Sequence, residues 1–139
     1  MASLVFILDR ITKIIAVRTM SYGQSINVLP NIFHITLVSN NGTAFGLMKG
    51  QNVILAVVAA VAVVLIVIYA VTHKGLGFAV SLALGLILGG ALGNLLDRIK
   101  FGYVIDFFDF RIWPVFNIAD SAITVGMIIL VIILCTRSS

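Results

Sequence analysis

Residues 53–71 read VILAVVAAVAVVLIVIYAV, a run of 19 positions without a charged side chain. A helix needs about 20 apolar residues to cross a bilayer core about 30 Å thick, so this run predicts a membrane span at about residues 52–72. Outward from it, two further apolar runs predict spans at about residues 76–97 and 116–136. A shorter apolar segment, interrupted by Asp9, Arg10 and Lys13, predicts a fourth span at about residues 2–18.

The composition agrees with a membrane protein. The 139 residues are 61% hydrophobic and 10% charged, with nine Lys or Arg and five acidic residues, all of them Asp. A soluble domain is about a quarter charged, so a soluble enzyme, a disordered tail and a nucleic-acid module are excluded. The cations are scattered singly and form no basic face, so no nucleic-acid partner is expected. We predict a single integral membrane domain over residues 1–139, mainly α-helical.

Two long connections contain aromatic, β-branched and turn residues. Residues 19–50 include an apolar, β-branched run at 32–38 followed by the turn signal Ser39-Asn40-Asn41-Gly42, which predicts a small extramembrane β-sheet, a cradle. Residues 99–115 hold six aromatic side chains and predict a short amphipathic segment at the membrane interface. With four spans, both connections lie on the same face of the membrane.

A stripe of small residues runs along the third span. It consists of Gly77, Ser81, Gly85, Gly89 and Gly93. Small residues at every fourth position let helix backbones approach closely, so this stripe predicts tight helix packing.

The stripe ends beside polar residues. Asn94 lies one turn before Asp97 and Arg98, where an ion pair or an Arg that extends to the interface is the simplest interpretation. Asp9 and Lys13 share a helix face at spacing i, i+4 and could pair. Asp120 lies in the first turn of the fourth span, where an N-terminal cap and a catalytic role both remain open.

The chemistry available to these residues is limited. Cys135 lies at the far end of its helix, and His34 and His73 lie on opposite sides of the membrane, so a Ser-His or Cys-His nucleophile, a disulfide framework and a metal site are not expected. Aspartates gather at one face, and two carboxylates that share a proton can activate water and hydrolyse a peptide bond without a cofactor. A small four-helix proton- or cation-coupled transporter subunit is the alternative. A non-enzymatic assembly factor that uses the small-residue stripe is a further one.

Five ordered motifs then match a family across nearly the whole chain. They are Asp9-Arg10-Ile11-Thr12-Lys13, Asn40-Asn41-Gly42-Thr43-Ala44-Phe45, Gly93-Asn94-Leu95-Leu96-Asp97-Arg98, Val104-Ile105-Asp106-Phe107 and Phe116-Asn117-Ile118-Ala119-Asp120-Ser121. With these motifs the chain resembles the bacterial lipoprotein signal peptidases, also called signal peptidase II or prolipoprotein signal peptidase.

The resemblance implies an intramembrane aspartic endopeptidase that cleaves diacylglyceryl-modified prolipoproteins just before the lipidated Cys. It implies Asp106 and Asp120 as the catalytic pair. It implies substrate-binding or supporting roles for Asn40, Asn94, Arg98, Asn117, Asp9 and Lys13. Asp109 also precedes a Phe, but it lacks the Val two residues earlier, so it receives no role.

The resemblance also implies a location in the bacterial inner membrane, with the active site near the periplasmic face and both termini in the cytoplasm. The charge distribution points the other way, because the side with the long loops carries five cations and the other side carries only Lys74 and Arg137. The expected partners are the lipid-modified substrate and membrane lipids, and a monomer is expected. Relative to the family pattern the first span is short by about one or two turns before Leu4.

Overall fold

The computed structural model describes residues 1–42, 52–73 and 75–137. Within these ranges there are four helices and three strands. In chain order they are α1 (Ala2–Thr19), β1 (Ser25–Leu29), β2 (Phe33–Asn40), α2 (Asn52–Thr72), α3 (Phe78–Phe101), β3 (Val104–Asp109) and α4 (Ile118–Arg137). The four segments predicted as spans are therefore helical, and α2 has the predicted bounds. Residues 43–50 of the predicted cradle lie outside the described residues.

Three of the helices are long and apolar enough to cross a membrane: Asn52–Thr72, Phe78–Phe101 and Ile118–Thr136. The helix α2 has no buried side chain, and its Val, Ile and Leu residues are largely exposed. Exposed apolar surface on this scale is stable in lipid and not in water. The helix α1 differs because it carries Asp9, Arg10, Lys13 and Arg18 among its 18 residues.

The helix α3 packs against the other three helices. Its glycines allow close approach of the neighbouring helices. A Cβ atom added at Gly89 would lie 2.5 Å from the carbonyl oxygen of Ala2, and one at Gly93 would lie 2.5 Å from Oδ2 of Asp9. Both distances are too short for a side chain, so the backbone of α3 touches the backbone of α1 at Gly89 and the carboxylate of Asp9 at Gly93. The predicted role of the small-residue stripe in helix packing is confirmed at Gly85, Gly89 and Gly93, whereas a Cβ atom at Gly77 would have no atom within 4 Å.

The strands form one antiparallel sheet in the order β1-β2-β3. Its inner face packs on the end of α1, in a core of Ala16, Met20, Leu37, Ile105 and Phe107. This core fixes the sheet to the helices, so that β3 lies across the ends of α1 and α3.

The segment 99–115 differs from the prediction of an amphipathic segment on the membrane surface. Its centre is the strand β3, which pairs with β2 on one edge and hydrogen-bonds to the backbone of Phe116 on the other. Val104, Ile105 and Phe107 are each at most 4% exposed. With both edges paired and these side chains buried, β3 is part of the core, and the large exposed apolar side chains of the segment lie on either side of it, at Ile99, Phe101, Phe110, Ile112 and Trp113.

Candidate active site

The carboxylate of Asp106 is held inside the protein by two amide side chains. Its Oδ2 accepts a hydrogen bond from Nδ2 of Asn40 at 2.9 Å, and its Oδ1 accepts one from Nδ2 of Asn117 at 2.6 Å. The residue is 1% exposed. Burial, and then the negative charge of Asp120, raise the pKa of Asp106 to about 7, although the two amides and Lys13 oppose this. A carboxyl with such a pKa can carry a proton at neutral pH.

The turn after β2 sets the orientation of Asn40. Its Oδ1 accepts a hydrogen bond from the backbone N–H of Gly42 at 3.1 Å. This Asx-type turn uses the oxygen of the amide. The NH₂ group is therefore directed at Asp106, which explains why the turn signal in the sequence and the candidate site residue coincide.

Asp120 is held by a reciprocal cap at the start of α4. The N–H of Asp120 donates to Oδ1 of Asn117 at 2.9 Å, and the N–H of Asn117 donates to Oδ2 of Asp120 at 3.2 Å. This is a capping box, in which an N-cap side chain and the third helical residue satisfy each other's backbone donors. The other oxygen, Oδ1, accepts from Nδ2 of Asn94 at 2.7 Å. The capping interpretation of Asp120 is thus confirmed, and it is compatible with a catalytic role.

Asn94 and Asn117 join the two carboxylates. Asn117 is fully buried, and its Nδ2 lies 3.1 Å from Oδ1 of Asn94 as well as contacting Asp106. Asn117 therefore contacts both aspartates, through its side chain to the carboxylate of Asp106 and through the reciprocal cap to Asp120. A buried network in which each polar group has a partner is rigid, so the two carboxylates are fixed relative to each other.

A second group of buried side chains is hydrogen-bonded to this network. We call Asp9, Arg10, Lys13 and Asp97 the ion cluster. Nζ of Lys13 lies 3.1 Å from Asp9 and 2.7 Å from Asp97, while Arg10 reaches Asp9 at 2.7 Å and Asp97 at 2.6 Å. Two acids and two bases balance, as buried charges require. The predicted pairing of Asp9 with Lys13 is confirmed.

The ion cluster is hydrogen-bonded to three elements around Asp106 and Asp120, and one of these bonds runs from the backbone N–H of Ile105 to Oδ2 of Asp97 at 3.2 Å. Nζ of Lys13 donates to Oδ1 of Asn94 at 2.9 Å, and Oδ1 of Asp9 accepts from the backbone N–H of Ala119 at 3.2 Å. The cluster thereby positions both Asn94 and the first turn of α4.

Two members of the ion cluster differ from the sequence interpretation. Asp97 binds Arg10 and Lys13, and not its neighbour Arg98, because α1 packs directly on this side of α3. Arg10 was absent from the predicted site residues. Its only signal was its position between Asp9 and Lys13 in the first motif.

A cleft of about 280 Å³ opens beside Asp120. Asn40 and Arg98 line it on the polar side, and Trp113, Pro114 and Val115 line it on the other. The Nε of Arg98 is buried without a hydrogen-bond partner among the described residues. The cleft therefore has a carboxylate and an unsatisfied cationic donor at its wall, which suits a polar backbone segment between apolar surfaces.

Asp109 is separate from this site. It accepts a hydrogen bond from Thr36 at 2.7 Å and pairs with Arg111 at 3.1 Å. All eight predicted site residues, by contrast, lie in the connected network or line the cleft. The described residues contain no group of three or more His, Cys, Asp or Glu that could hold a metal ion.

Comparisons with known proteins identify the family of this chain. The family model for signal peptidase (SPase) II matches residues 1–136. The chain belongs to the signal peptidase II family. It is 44% identical over 131 residues to a lipoprotein signal peptidase of Halothermothrix orenii, covering 94% of this chain and 90% of the relative. It is also 44% identical to a lipoprotein signal peptidase of Moorella thermoacetica over 133 residues, covering 94% of this chain and 87% of the relative.

Two solved structures of bacterial membrane enzymes share the fold. One has a TM-score of 0.92 at 35% identity, covering 99% of this chain and 87% of the other. The second has a TM-score of 0.86 at 36% identity, covering 96% and 88%. Membership of the signal peptidase II family favours a membrane-embedded protease, and the transporter alternative finds no support in these comparisons. The matched range includes every residue of the candidate site.

Proposed function

We propose that this chain is an intramembrane aspartic endopeptidase that removes the signal peptide from diacylglyceryl-modified prolipoproteins, cleaving just before the lipidated cysteine. Its relatives named lipoprotein signal peptidases support the substrate class. The observation that carries the catalytic type is that one buried residue, Asn117, hydrogen-bonds to both carboxylates, through its side chain to Asp106 and through its backbone N–H to Asp120. Two carboxylates held in one network beside a cleft have the chemistry of an aspartic protease.

Asp106 and Asp120 occupy different environments, and this divides their roles. Asp106 is surrounded by neutral amides, and its raised pKa of about 7 favours the protonated acid at neutral pH. Asp120 lies at the N-terminus of α4, where the helix dipole and two N–H donors favour a carboxylate. We assign the shared proton to Asp106 and the role of base to Asp120, and this coupled pair titrates as a unit.

The reaction follows from this assignment. Asp120 accepts a proton from a water molecule, whose oxygen attacks the carbonyl carbon before the lipidated cysteine. Asp106 gives its proton to the carbonyl oxygen, which yields a neutral tetrahedral intermediate. The C–N bond then breaks as the amine takes the proton held by Asp120, and the new acid returns a hydroxyl proton to Asp106. Arg98 and Asn40, on the cleft wall, are placed to bind the substrate backbone.

The membrane arrangement belongs to the same proposal. The helix α1 is the fourth span, since the ion cluster neutralises Asp9, Arg10 and Lys13 inside the protein. The sheet, the aspartates Asp106 and Asp120, and the exposed aromatic residues Phe110 and Trp113 then share one face of a single membrane domain. That face is periplasmic in the bacterial inner membrane, both termini are cytoplasmic, and the protein acts as a monomer without a cofactor. The substrate enters from the surrounding lipids.

A cleavage assay tests the catalytic assignment. Purified protein is incubated with a diacylglyceryl-modified prolipoprotein, and the rate is compared for wild type, Asp106→Asn, Asp120→Asn and Asp109→Asn. We expect each of the first two variants to lose at least about 100-fold in rate, because each removes one proton carrier. The Asp109→Asn variant, altered on the same strand outside the site, should remain within about threefold of wild type.

Two results would overturn the proposal. A wild-type rate of cleavage in either Asp106→Asn or Asp120→Asn would refute the aspartic mechanism. Failure of the wild-type protein to cleave the modified substrate, while it cleaves an unmodified one, would remove the substrate class and leave the catalytic type in place. A reporter fused at Ser139 tests the orientation, and a periplasmic signal there would reverse the proposed topology.

A further inference from the structure

A second cavity, of about 490 Å³, lies between α1, the end of α3 and the segment leading into β3. It shares Arg10 and Lys13 with the ion cluster, but none of the residues around the cleft beside Asp120 lines it. Its wall combines cations, tyrosines and aliphatic side chains. The lining residues that matter below are Arg10, Ile14, Val17, Arg18, Tyr22, Leu96, Lys100, Phe101 and Tyr103.

The cavity has a surplus of positive charge. Arg10 and Lys13 are balanced by the two aspartates of the ion cluster. Neither Arg18 nor Lys100 has a carboxylate within 4 Å in the part of the chain that the structure describes. The wall therefore carries a net charge of about +2, which in a partly apolar setting attracts an anion strongly.

One donor in the cavity wall is unsatisfied. The Nε of Arg10 is buried and has no hydrogen-bond partner among the described residues, although both terminal nitrogens of this guanidinium are paired. A buried donor without a partner costs about 1–3 kcal/mol, so a ligand oxygen that reached it would be stabilised.

The remaining wall suits the boundary between lipid and water. The hydroxyls of Tyr22 and Tyr103 lie 3.1 Å apart, and Nζ of Lys100 lies 5.1 Å from the ring centre of Phe101. Tyrosines and snorkelling cations are typical of that boundary. Next to them, Ile14, Val17 and Leu96 are exposed and lead from the cavity along the apolar surfaces of α1 and α3.

We propose that this cavity binds an anionic phospholipid, with its phosphodiester among Arg18, Lys100 and Arg10 and an acyl chain along the apolar surfaces of α1 and α3. Arginine and lysine bind phosphate oxygens through charge-assisted hydrogen bonds. The contact of an acyl chain with the apolar surfaces of α1 and α3 distinguishes a lipid from a soluble phosphate. The proposal does not depend on the proposed protease activity, because its test substitutes Arg18 and Lys100, which lie outside the network around Asp106 and Asp120.

Native mass spectrometry of the detergent-purified protein, with phosphatidylglycerol and phosphatidylcholine added together, measures the preference for the anionic lipid. We expect about a fivefold loss of that preference in Arg18→Gln and in Lys100→Gln, and more than about tenfold in the double variant. Arg111→Gln is the matched control, since it removes one exposed cation outside the cavity, and it should change the preference by less than about twofold. The charge-preserving double variant Arg18→Lys, Lys100→Arg should retain the preference.

Three outcomes would overturn the proposal. The first is an unchanged lipid preference in the Arg18→Gln, Lys100→Gln double variant. The second is a loss in Arg111→Gln as large as that in Arg18→Gln, because the attraction would then be a property of the whole surface. The third is displacement of the bound lipid by inorganic phosphate or glycerol phosphate at millimolar concentration, which would assign the cavity to a soluble anion.

Discussion

Replacing Asp106 by Asn should make the folded protein less sensitive to rising pH. In the unfolded chain the carboxyl ionises near its ordinary pKa of 3.8, whereas in the folded protein burial, and then the charge of Asp120, raise the pKa to about 7. Between these values the folded protein binds more protons than the unfolded chain. The free energy of unfolding of the wild type therefore falls as the pH rises through this window, and Asn, which does not ionise, abolishes that contribution.

The size of the effect follows from the two pKa values. Each pKa unit corresponds to about 1.4 kcal/mol, so the gap between 3.8 and about 7 is worth about 4 kcal/mol once the pH exceeds 7. An Asn at this position also places an NH₂ group against the NH₂ of Asn40 or Asn117, but that penalty is the same at every pH. Only the change of the free energy of unfolding with pH reports the ionisation of the buried carboxyl group. In a protein of this length it corresponds to a change of about 10 °C in Tm.

Thermal unfolding in one detergent between pH 4 and pH 8 measures this change. We expect the Tm of Asp106→Asn, relative to wild type, to increase steadily over that range. Asp109→Asn is a control of opposite sign: burial raises the pKa of Asp109, but the hydrogen bonds from Thr36 and Arg111 outweigh it and lower the pKa overall. Its variant should lose stability relative to wild type by a nearly constant amount over most of this range, and the loss should shrink only as the pH falls below the ordinary pKa of 3.8. A Tm difference for Asp106→Asn that is constant or decreasing with pH would refute the reasoning.

Three further substitutions test the surrounding structure. Lys13→Met should lower the free energy of unfolding by about 3–5 kcal/mol, because two buried carboxylates lose a cation. Lys100→Met, at the exposed end of α3, should change it by less than about 0.5 kcal/mol. Equal shifts of Tm in the two variants would contradict the buried ion cluster. Gly93→Ala should cost at least about 1–3 kcal/mol by chemical denaturation, since its Cβ would overlap a carboxylate oxygen, whereas Gly77→Ala, with no atom within 4 Å, should cost less than about 1 kcal/mol. Asn117→Ala should reduce kcat of cleavage by at least about 100-fold with a smaller change in KM. It should also lower the free energy of unfolding by about 1–2 kcal/mol, because α4 loses its N-terminal cap. A change in KM alone would assign Asn117 to substrate binding.

The helices were predictable from the sequence because their signal is local. The apolar run at 53–71 continues without interruption, so its length alone gives the bounds of α2, and the observed helix is Asn52–Thr72. The glycine stripe likewise predicts close helix packing from residue size, but it does not identify α1 as the partner. The helix α3 extends to Phe101, four residues beyond the predicted span, because nothing stops a helix between Asp97 and the left-handed residue Gly102.

The strand β3 was not predictable in the same way. Its aromatic residues resemble an interfacial segment, and its pairing with β2 joins residues about seventy positions apart, such as Val38 and Asp106. The partners of Asp97 were missed for the same reason, since Arg10 is 87 positions away. Sequence spacing identified Asp106 and Asp120 as candidates only through the family motifs. Their connection through Asn117 and Asn94 depends on where α3, β3 and α4 meet.

The ion cluster also constrains the order in which the protein can assemble. Asp9, Arg10 and Lys13 are synthesised at the start of the chain, and together they carry one excess positive charge. Their balancing carboxylate, Asp97, and the N–H of Ala119 that binds Asp9 are synthesised last. In the proposed arrangement with α1 as a span, this helix carries an uncompensated cation during translation, so we expect its insertion to become favourable only after α3 has been inserted.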